Sequence, residues 1–176
     1  MLRAEHGFAA ADVACVEVIA PPLIVRLVGR PPRPDGGASY ARLCMAYAVA
    51  KTLQHGALDL AHFRGEALAD PETYDLAARV ETRDDGTTDP NALAPQTVVV
   101  HLKDGRALRW RGETMLAHPA RPLTRQQQLE KFHRCLAFSA EPLAPGTAAA
   151  LVEAVDALEQ MADVRGLAGL AARPVR

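Results

Sequence analysis

The chain is poor in aromatic residues and cysteine, and it has neither a large excess of charge nor a long apolar run. A formal net charge of −1 over 176 residues gives no field that would recruit nucleic acid or an anionic membrane surface. No apolar run approaches the roughly 18 residues that a membrane-spanning helix needs. The N-terminus also lacks the cationic start and apolar block of a secretory signal. These absences predict a cytoplasmic protein that binds neither nucleic acid nor a membrane.

Only three cysteines are present, and they are widely separated: Cys15, Cys44 and Cys135. Because no Cys-x-x-Cys or Cys/His ligand spacing occurs, neither a disulfide framework nor a zinc site is predicted. The cysteines are typical of small buried residues in a reducing compartment. The chain also lacks a Gly-x-Ser-x-Gly elbow, a cysteine with a recognisable histidine partner, and a phosphate or dinucleotide loop. These chemistries are therefore not expected.

The periodicity of the apolar residues predicts a mixture of strands and helices. Strands are predicted over residues 14–20, 23–28 and 80–83, with a hairpin over 96–111 that turns at Asp104-Gly105. Helices are predicted over residues 40–55, 70–80, 124–140, 146–160 and 163–170. The fold class is therefore α+β, with a small antiparallel-rich sheet and a central hairpin packed against helices, followed by C-terminal helices. The expected organisation is an α+β domain over 1–122, C-terminal helices over 123–170, and a frayed tail over 171–176.

The helix predicted before Gly56 is the most informative segment. Its apolar stripe runs from Tyr40 to Leu53, and Gly56 is the residue type that favours a left-handed C-terminal cap. Tyr47 lies near the middle of this stripe, where a phenol needs either a hydrogen-bond partner or a function. Most such tyrosines are core residues, so the periodicity alone leaves both interpretations open.

An ordered series of segments resembles the C-terminal part of the MmgE/PrpD family. The series comprises the Tyr40 to Gly56 helix, residues 57–63 and 70–80, the Asp104-Gly105 turn, and the segment 118–124 followed by Lys131-Phe132. The resemblance covers about residues 8–161. The family includes 2-methylcitrate dehydratase, cis-aconitate decarboxylase and iminodisuccinate epimerase. Its Phe-Ser-x-x-Tyr segment corresponds to residues 43–47 here, with leucine and cysteine in place of phenylalanine and serine.

The resemblance implies a function and a set of site residues. Because the family tyrosine reaches the substrate cleft, Tyr47 is predicted to be catalytic, and Lys51, His118 and Arg121 are candidates for substrate binding. The substrate would be a small di- or tricarboxylic acid, with dehydration of a 2-methylcitrate-like molecule favoured. No cofactor and no metal are expected.

The resemblance also implies partners. Family members carry a large N-terminal helical domain that supplies most of the acid–base residues. We therefore expect this chain to be one side of a cleft, inactive alone, with its C-terminal helices packing on that missing domain and with a homodimer as the assembly. Two alternatives remain open: a stand-alone, non-catalytic binding or interaction module of the same fold, and an unrelated small α+β regulatory domain.

Overall fold

The computed structural model describes residues 2–139, 143–144 and 146–172, and these divide into two compact units. The boundary lies between Pro122 and Leu123. About half of the chain is helical and about a fifth is strand, so the predicted α+β class is confirmed.

The first unit consists of a four-stranded mixed sheet with helices. Its helices and strands are α1 (Leu2–His6), β1 (Val13–Ala20), α2 (Pro22–Val28), α3 (Gly37–Arg42), α4 (Met45–His55), α5 (Pro71–Ala77), β2 (Val80–Asp84), β3 (Gln96–Leu102) and β4 (Ala107–Gly112). The strand order is β2-β1-β3-β4. Strand β1 pairs in parallel with β2 and antiparallel with β3, and β3 pairs antiparallel with β4. The predicted hairpin is therefore confirmed.

The core lies between α4 and the inward face of the sheet. Strand β1 alternates its exposure, and Val13, Val16 and Val18 are buried against Val100 and Leu102 of β3. This alternation is the expected result of a strand that has one face on the core. Helix α4 also contacts α5, which places α4 at the centre of the unit.

The strand predicted over residues 23–28 is wrong, because this segment forms helix α2. The branched residues suggested a strand, but the double proline acts as a helix start. Pro22 occupies the first turn, where its missing N–H is not needed, and its fixed φ suits a helix. Ile24 is buried, so its burial holds the short helix on the rest of the unit.

The helix predicted over residues 40–55 is interrupted. Helix α3 ends at Arg42 and α4 begins at Met45, with Cys44 in an extended conformation between them. Cys44 forms an isolated antiparallel bridge with Gly29, and its Sγ donates to the Arg30 carbonyl at 3.3 Å. The break therefore gives Cys44 its contacts to the preceding loop. Helix α4 ends at His55, and Gly56 follows it with a φ of 83°, which confirms the predicted left-handed cap.

The second unit contains helices α6 (Arg125–Ala137), α7 (Thr147–Asp156) and α8 (Arg165–Ala171). Thr124 caps α6, accepting from the Gln127 N–H at 3.2 Å while the Gln127 side chain accepts from the Thr124 N–H. Helix α7 is shorter than predicted, and a 3₁₀ turn, Leu158–Gln160, follows it. Of the predicted frayed tail, Ala171 belongs to α8, and residues 173–176 lie outside the described residues.

The cysteines only partly match the expectation from the sequence. All three are free, but only Cys44 is buried, whereas Cys15 and Cys135 are exposed. Cys15 lies on the outward face of β1, where the strand alternation turns it away from the core.

Candidate functional site

Tyr47 is buried beneath the 3₁₀ turns that follow α4. Its side chain is 1% exposed, and its ring contacts those of Phe63 and Tyr74. Its hydroxyl lies 2.5 Å from the His62 carbonyl and 2.9 Å from the Ala67 carbonyl. Burial, followed by the charges of Tyr74 and Asp70, raises the pKa of Tyr47 to about 12. The phenol therefore stays protonated near neutral pH, and its hydroxyl donates a hydrogen bond to backbone carbonyl oxygen.

Lys51 lies one turn further along α4 and is also buried. Its Nζ is 3.1 Å from Asp70 Oδ2 and 5.8 Å from the centroid of the Tyr47 ring. Thr73 and Gln54 complete this cluster, since the Thr73 hydroxyl lies 2.5 Å from Asp70 Oδ2 and 2.8 Å from Gln54 Oε1. The Lys51 ammonium is thus paired inside the unit.

Asp70 organises this buried polar cluster and also begins α5. Its Oδ1 accepts from the Glu72 N–H at 3.1 Å, as an N-cap residue does. The hydrogen bond from Thr73, together with that from Lys51, lowers the pKa of Asp70 to about 2. The carboxylate is therefore ionised at neutral pH, as the buried Lys51 requires.

His118 and Arg121 lie together on a tight turn after β4. The Arg121 N–H donates to the His118 carbonyl at 2.7 Å, and the Ala117 N–H donates to the Arg121 carbonyl at 3.0 Å. Ala117 has a φ of 69°, which is strained for a residue with a Cβ. The His118 ring is exposed, and its Nδ1 accepts from the Ala120 N–H at 3.1 Å. The turn therefore holds both predicted substrate-binding residues in fixed positions.

Arg121 lines a small pocket between the end of β4 and this turn. The pocket has a volume of about 320 Å³ and is lined by Trp110, Arg111, Gly112, Glu113, Thr114, Ala120 and Arg121. One guanidinium nitrogen of Arg121 donates to the Thr114 carbonyl at 3.1 Å, whereas Arg111 pairs with Glu113 at 2.6 Å. Among the described residues no carboxylate pairs with Arg121, so its charge can receive an anion.

The four predicted site residues thus form two pairs with different environments. Tyr47 and Lys51 are adjacent in the interior, and His118 and Arg121 are adjacent on a surface turn. No contact between the two pairs is found in the part of the chain that the structure describes. The catalytic assignment of Tyr47 stays a prediction.

The structure brings together His55 and His62, which flank Gly56 in the sequence and were not expected to form a metal-binding pair. The rings of His55 and His62 stack at 4.5 Å between centroids, with 18° between their planes. The prediction that Gly56 ends the helix between them is correct, but the left-handed cap turns the chain so that the two rings meet. The available signal for this contact was a histidine next to the capping glycine, followed by a short turn that carries the second histidine.

Two further observations concern the described residues. Across the described ranges, no three side chains of His, Cys, Asp or Glu lie close enough to hold a metal ion together. None of the described helices combines the length and the apolar character needed to cross a lipid bilayer.

The mixed sheet with its inserted helices defines an α+β domain, and a comparison with protein families identifies which one. The model of the MmgE/PrpD C-terminal domain matches residues 1–160. The chain therefore belongs to the MmgE/PrpD family, as the order of its segments indicated. A search of curated proteins gives no significant match.

Proposed function

We propose that this chain is the C-terminal portion of an MmgE/PrpD-type lyase or isomerase that acts on a small di- or tricarboxylic acid. The observation that carries the proposal is the family match over residues 1–160. Dehydration of a 2-methylcitrate-like substrate is the reaction we favour. Abstraction of a proton next to a carboxylate, followed by loss of water, needs groups on both sides of the reacting carbon. We assign the groups on the other side of that carbon to a helical domain of the kind that the family carries.

Within this proposal the surface turn binds substrate. A guanidinium without a carboxylate partner matches the planar geometry of a carboxylate, and the charge-assisted hydrogen bond that results is stronger than a neutral one. His118, three residues away, has one ring nitrogen occupied by the Ala120 N–H and presents the other as a second donor. The turn therefore suits an acid with more than one carboxylate.

The buried residues Tyr47 and Lys51 have a different role in this proposal. Tyr47 and Lys51 satisfy each of their polar groups inside the unit, on the carbonyls of residues 62 and 67 and on Asp70. In this arrangement neither can contact a substrate. We propose that Tyr47 acts catalytically only if the covering segment, residues 60–68, moves away from its hydroxyl.

The second unit supports the expectation of a partner. Its helices bury none of their described residues, and Val155 and Val164 are 52% and 62% exposed. An apolar pocket of about 540 Å³ runs between α6, α7 and α8. We propose that these helices pack on the family's helical domain or on a second copy in a homodimer.

Calorimetric titration of the full chain with citrate and cis-aconitate tests the substrate class. We expect both acids to bind and acetate not to bind, since acetate has one carboxylate. Arg121→Gln should weaken binding at least about tenfold, because a charge-assisted hydrogen bond contributes about 1.5–3 kcal/mol. Arg109→Gln is the matched control, because Arg109 is an exposed arginine on β4 outside the pocket lining.

The alternative function, a non-catalytic interaction module of the same fold, has support in the exposed apolar side chains of the second unit. A pure interaction module should bind none of these acids. Binding that is equally strong in Arg121→Gln and in the unchanged chain would remove the surface turn from the proposal. Formation of unsaturated product from 2-methylcitrate, measured with the helical domain supplied, would then test the enzyme assignment separately.

A further inference from the structure

His62 holds together the turn that covers the Tyr47 hydroxyl. Its Nδ1 accepts from the Asp59 N–H at 3.0 Å, and its own N–H donates to the Asp59 carbonyl at 3.2 Å. Its carbonyl oxygen accepts from Tyr47 at 2.5 Å. One residue therefore both closes the turn at Asp59 and anchors the buried phenol.

This arrangement is possible only when the His62 ring is neutral. A backbone N–H can only donate, so Nδ1 must be the acceptor and the ring proton must lie on Nε2. Protonation places a second N–H on Nδ1, which then faces the Asp59 N–H. Because two donors cannot bond to each other, the ring must leave its position or the turn must open.

Most of the charged groups around His62 also disfavour its protonation. The His55 ring stacks on it, the charge of Lys51 acts on it, also from α4, and Arg42 of α3 lies over the Phe63 ring at the end of the same turn. Asp59 is the acidic group at the start of the turn. Burial is the largest cause that lowers the pKa of His62, and the charges of His55 and Lys51 lower it further against the opposing effect of Asp59.

We propose that protonation of His62 opens the turn at residues 59–63 and withdraws the His62 carbonyl from the Tyr47 hydroxyl, which keeps the Ala67 carbonyl as its other partner, so that this turn is a pH-sensitive part of the cover. The inference concerns a conformational equilibrium and does not depend on the proposed enzyme activity. Because the native state disfavours the protonated ring, the closed form is stable above the ordinary histidine pKa of about 6.5 and loses stability as pH falls below it.

Hydrogen exchange of the full chain, measured by mass spectrometry between pH 5 and pH 8, tests the proposal. Rates are divided by the intrinsic exchange rate at each pH, and peptides covering residues 57–68 are followed. We expect their protection to fall several-fold below about pH 6.5, whereas peptides of β1 and β3 keep theirs. The midpoint should coincide with the titration of the His62 ring followed by NMR.

Two variants separate protonation from a general loss of structure. His62→Asn keeps an acceptor near the position of Nδ1 but cannot be protonated, so protection of 57–68 should become independent of pH. His55→Ala removes a neighbouring charge that opposes protonation, so the midpoint should move to higher pH. His118→Asn, at the exposed surface turn, should leave the profile unchanged.

Protection of 57–68 that does not change with pH in the natural chain would overturn the proposal. So would an unchanged pH dependence in His62→Asn, since another group would then be responsible. If His62→Asn is too unstable to measure, the NMR comparison decides, because a midpoint of opening separated from the His62 titration contradicts the proposal equally.

Discussion

The ammonium of Lys51 lies 3.1 Å from the carboxylate of Asp70, but the two side chains differ in exposure: 2% for Lys51 and 30% for Asp70. Lys51 therefore depends on Asp70 for its charge compensation. Asp70 has further partners in Thr73 and the Glu72 N–H, and it retains some contact with solvent. Lys51 therefore depends on Asp70 more than Asp70 depends on Lys51, and the stability of single variants can measure this difference.

We expect Asp70→Asn to lower the free energy of unfolding by about 3 kcal/mol, because it leaves the buried Lys51 ammonium without a counter-charge. Lys51→Met should cost only about 1 kcal/mol, since methionine fills the space and the remaining carboxylate is partly solvated. In the double variant the loss should be close to that of Lys51→Met alone. Urea denaturation of the unchanged chain, the two single variants and the double variant gives a double-mutant cycle. Equal losses in the two single variants would contradict this account.

The loss of folding stability at acid pH provides a second prediction. Asp70 has a pKa of about 2 in the folded protein against an ordinary value of 3.8, with Thr73 as the first cause. Its contribution to stability is therefore complete above about pH 4 and is lost as pH falls towards 2. Thr73→Val should raise the pKa of Asp70 towards its ordinary value while keeping the shape of the side chain. The ¹³C shift of the Asp70 carboxyl, followed against pH by NMR, measures this directly. An unchanged titration in Thr73→Val would contradict the role of Thr73 and leave Lys51 and the Glu72 N–H as the groups that lower the pKa of Asp70.

Parts of this fold follow from local patterns, and others do not. The alternation in β1, the β3–β4 hairpin and the Gly56 cap are each determined within a few residues, and each was predictable. The conformation of residues 22–28 was not, because the same branched residues suit a strand or a short buried helix. The break at Cys44 coincides with a bridge to Gly29, which lies 15 positions earlier in the chain, so the residues around Cys44 do not reveal it.

The candidate site likewise depends on contacts between distant segments, which local patterns do not predict. Periodicity placed Tyr47 and Lys51 on one side of α4 but could not identify their partners, which come from the segments around residues 62 and 70. His118 and Arg121 were recognised by resemblance, and their mutual geometry comes from a turn only four residues long. Contacts between distant segments decide whether a polar group is satisfied, and a single sequence does not give those contacts.

The glycine at the end of α4 offers a test of the turn that places the two histidines together. Gly56 has a φ of 83°, and the space around it is open apart from Arg3 Nη1 at 3.8 Å. We expect Gly56→Ala to cost about 1 kcal/mol through backbone strain alone. Gly56→Asn should cost less, since asparagine tolerates the left-handed region. Thermal unfolding compares the two. A similar loss in both would indicate a steric clash instead of strain.

Replacement of Tyr47 by phenylalanine separates its two possible roles. We expect Tyr47→Phe to destabilise the protein by about 1–3 kcal/mol, because the His62 and Ala67 carbonyls lose a buried donor. Tyr40→Phe is the matched control, since its hydroxyl bonds to the Pro31 carbonyl near the surface and its loss should cost less. Denaturant unfolding at neutral pH measures both variants.

The alkaline titration of the tyrosines checks the same hydroxyl independently. Tyr47 has a pKa raised to about 12, first by burial, so its contribution to stability is complete below pH 10 and is lost as pH rises towards 12. Burial also raises the pKa of Tyr74, so absorbance of tyrosinate should show late ionisation of two tyrosines, of which Tyr47→Phe removes one and Tyr40→Phe removes neither. A Tyr47→Phe protein that keeps full stability but loses turnover, measured with the helical domain supplied, would instead identify the phenol as a catalytic group.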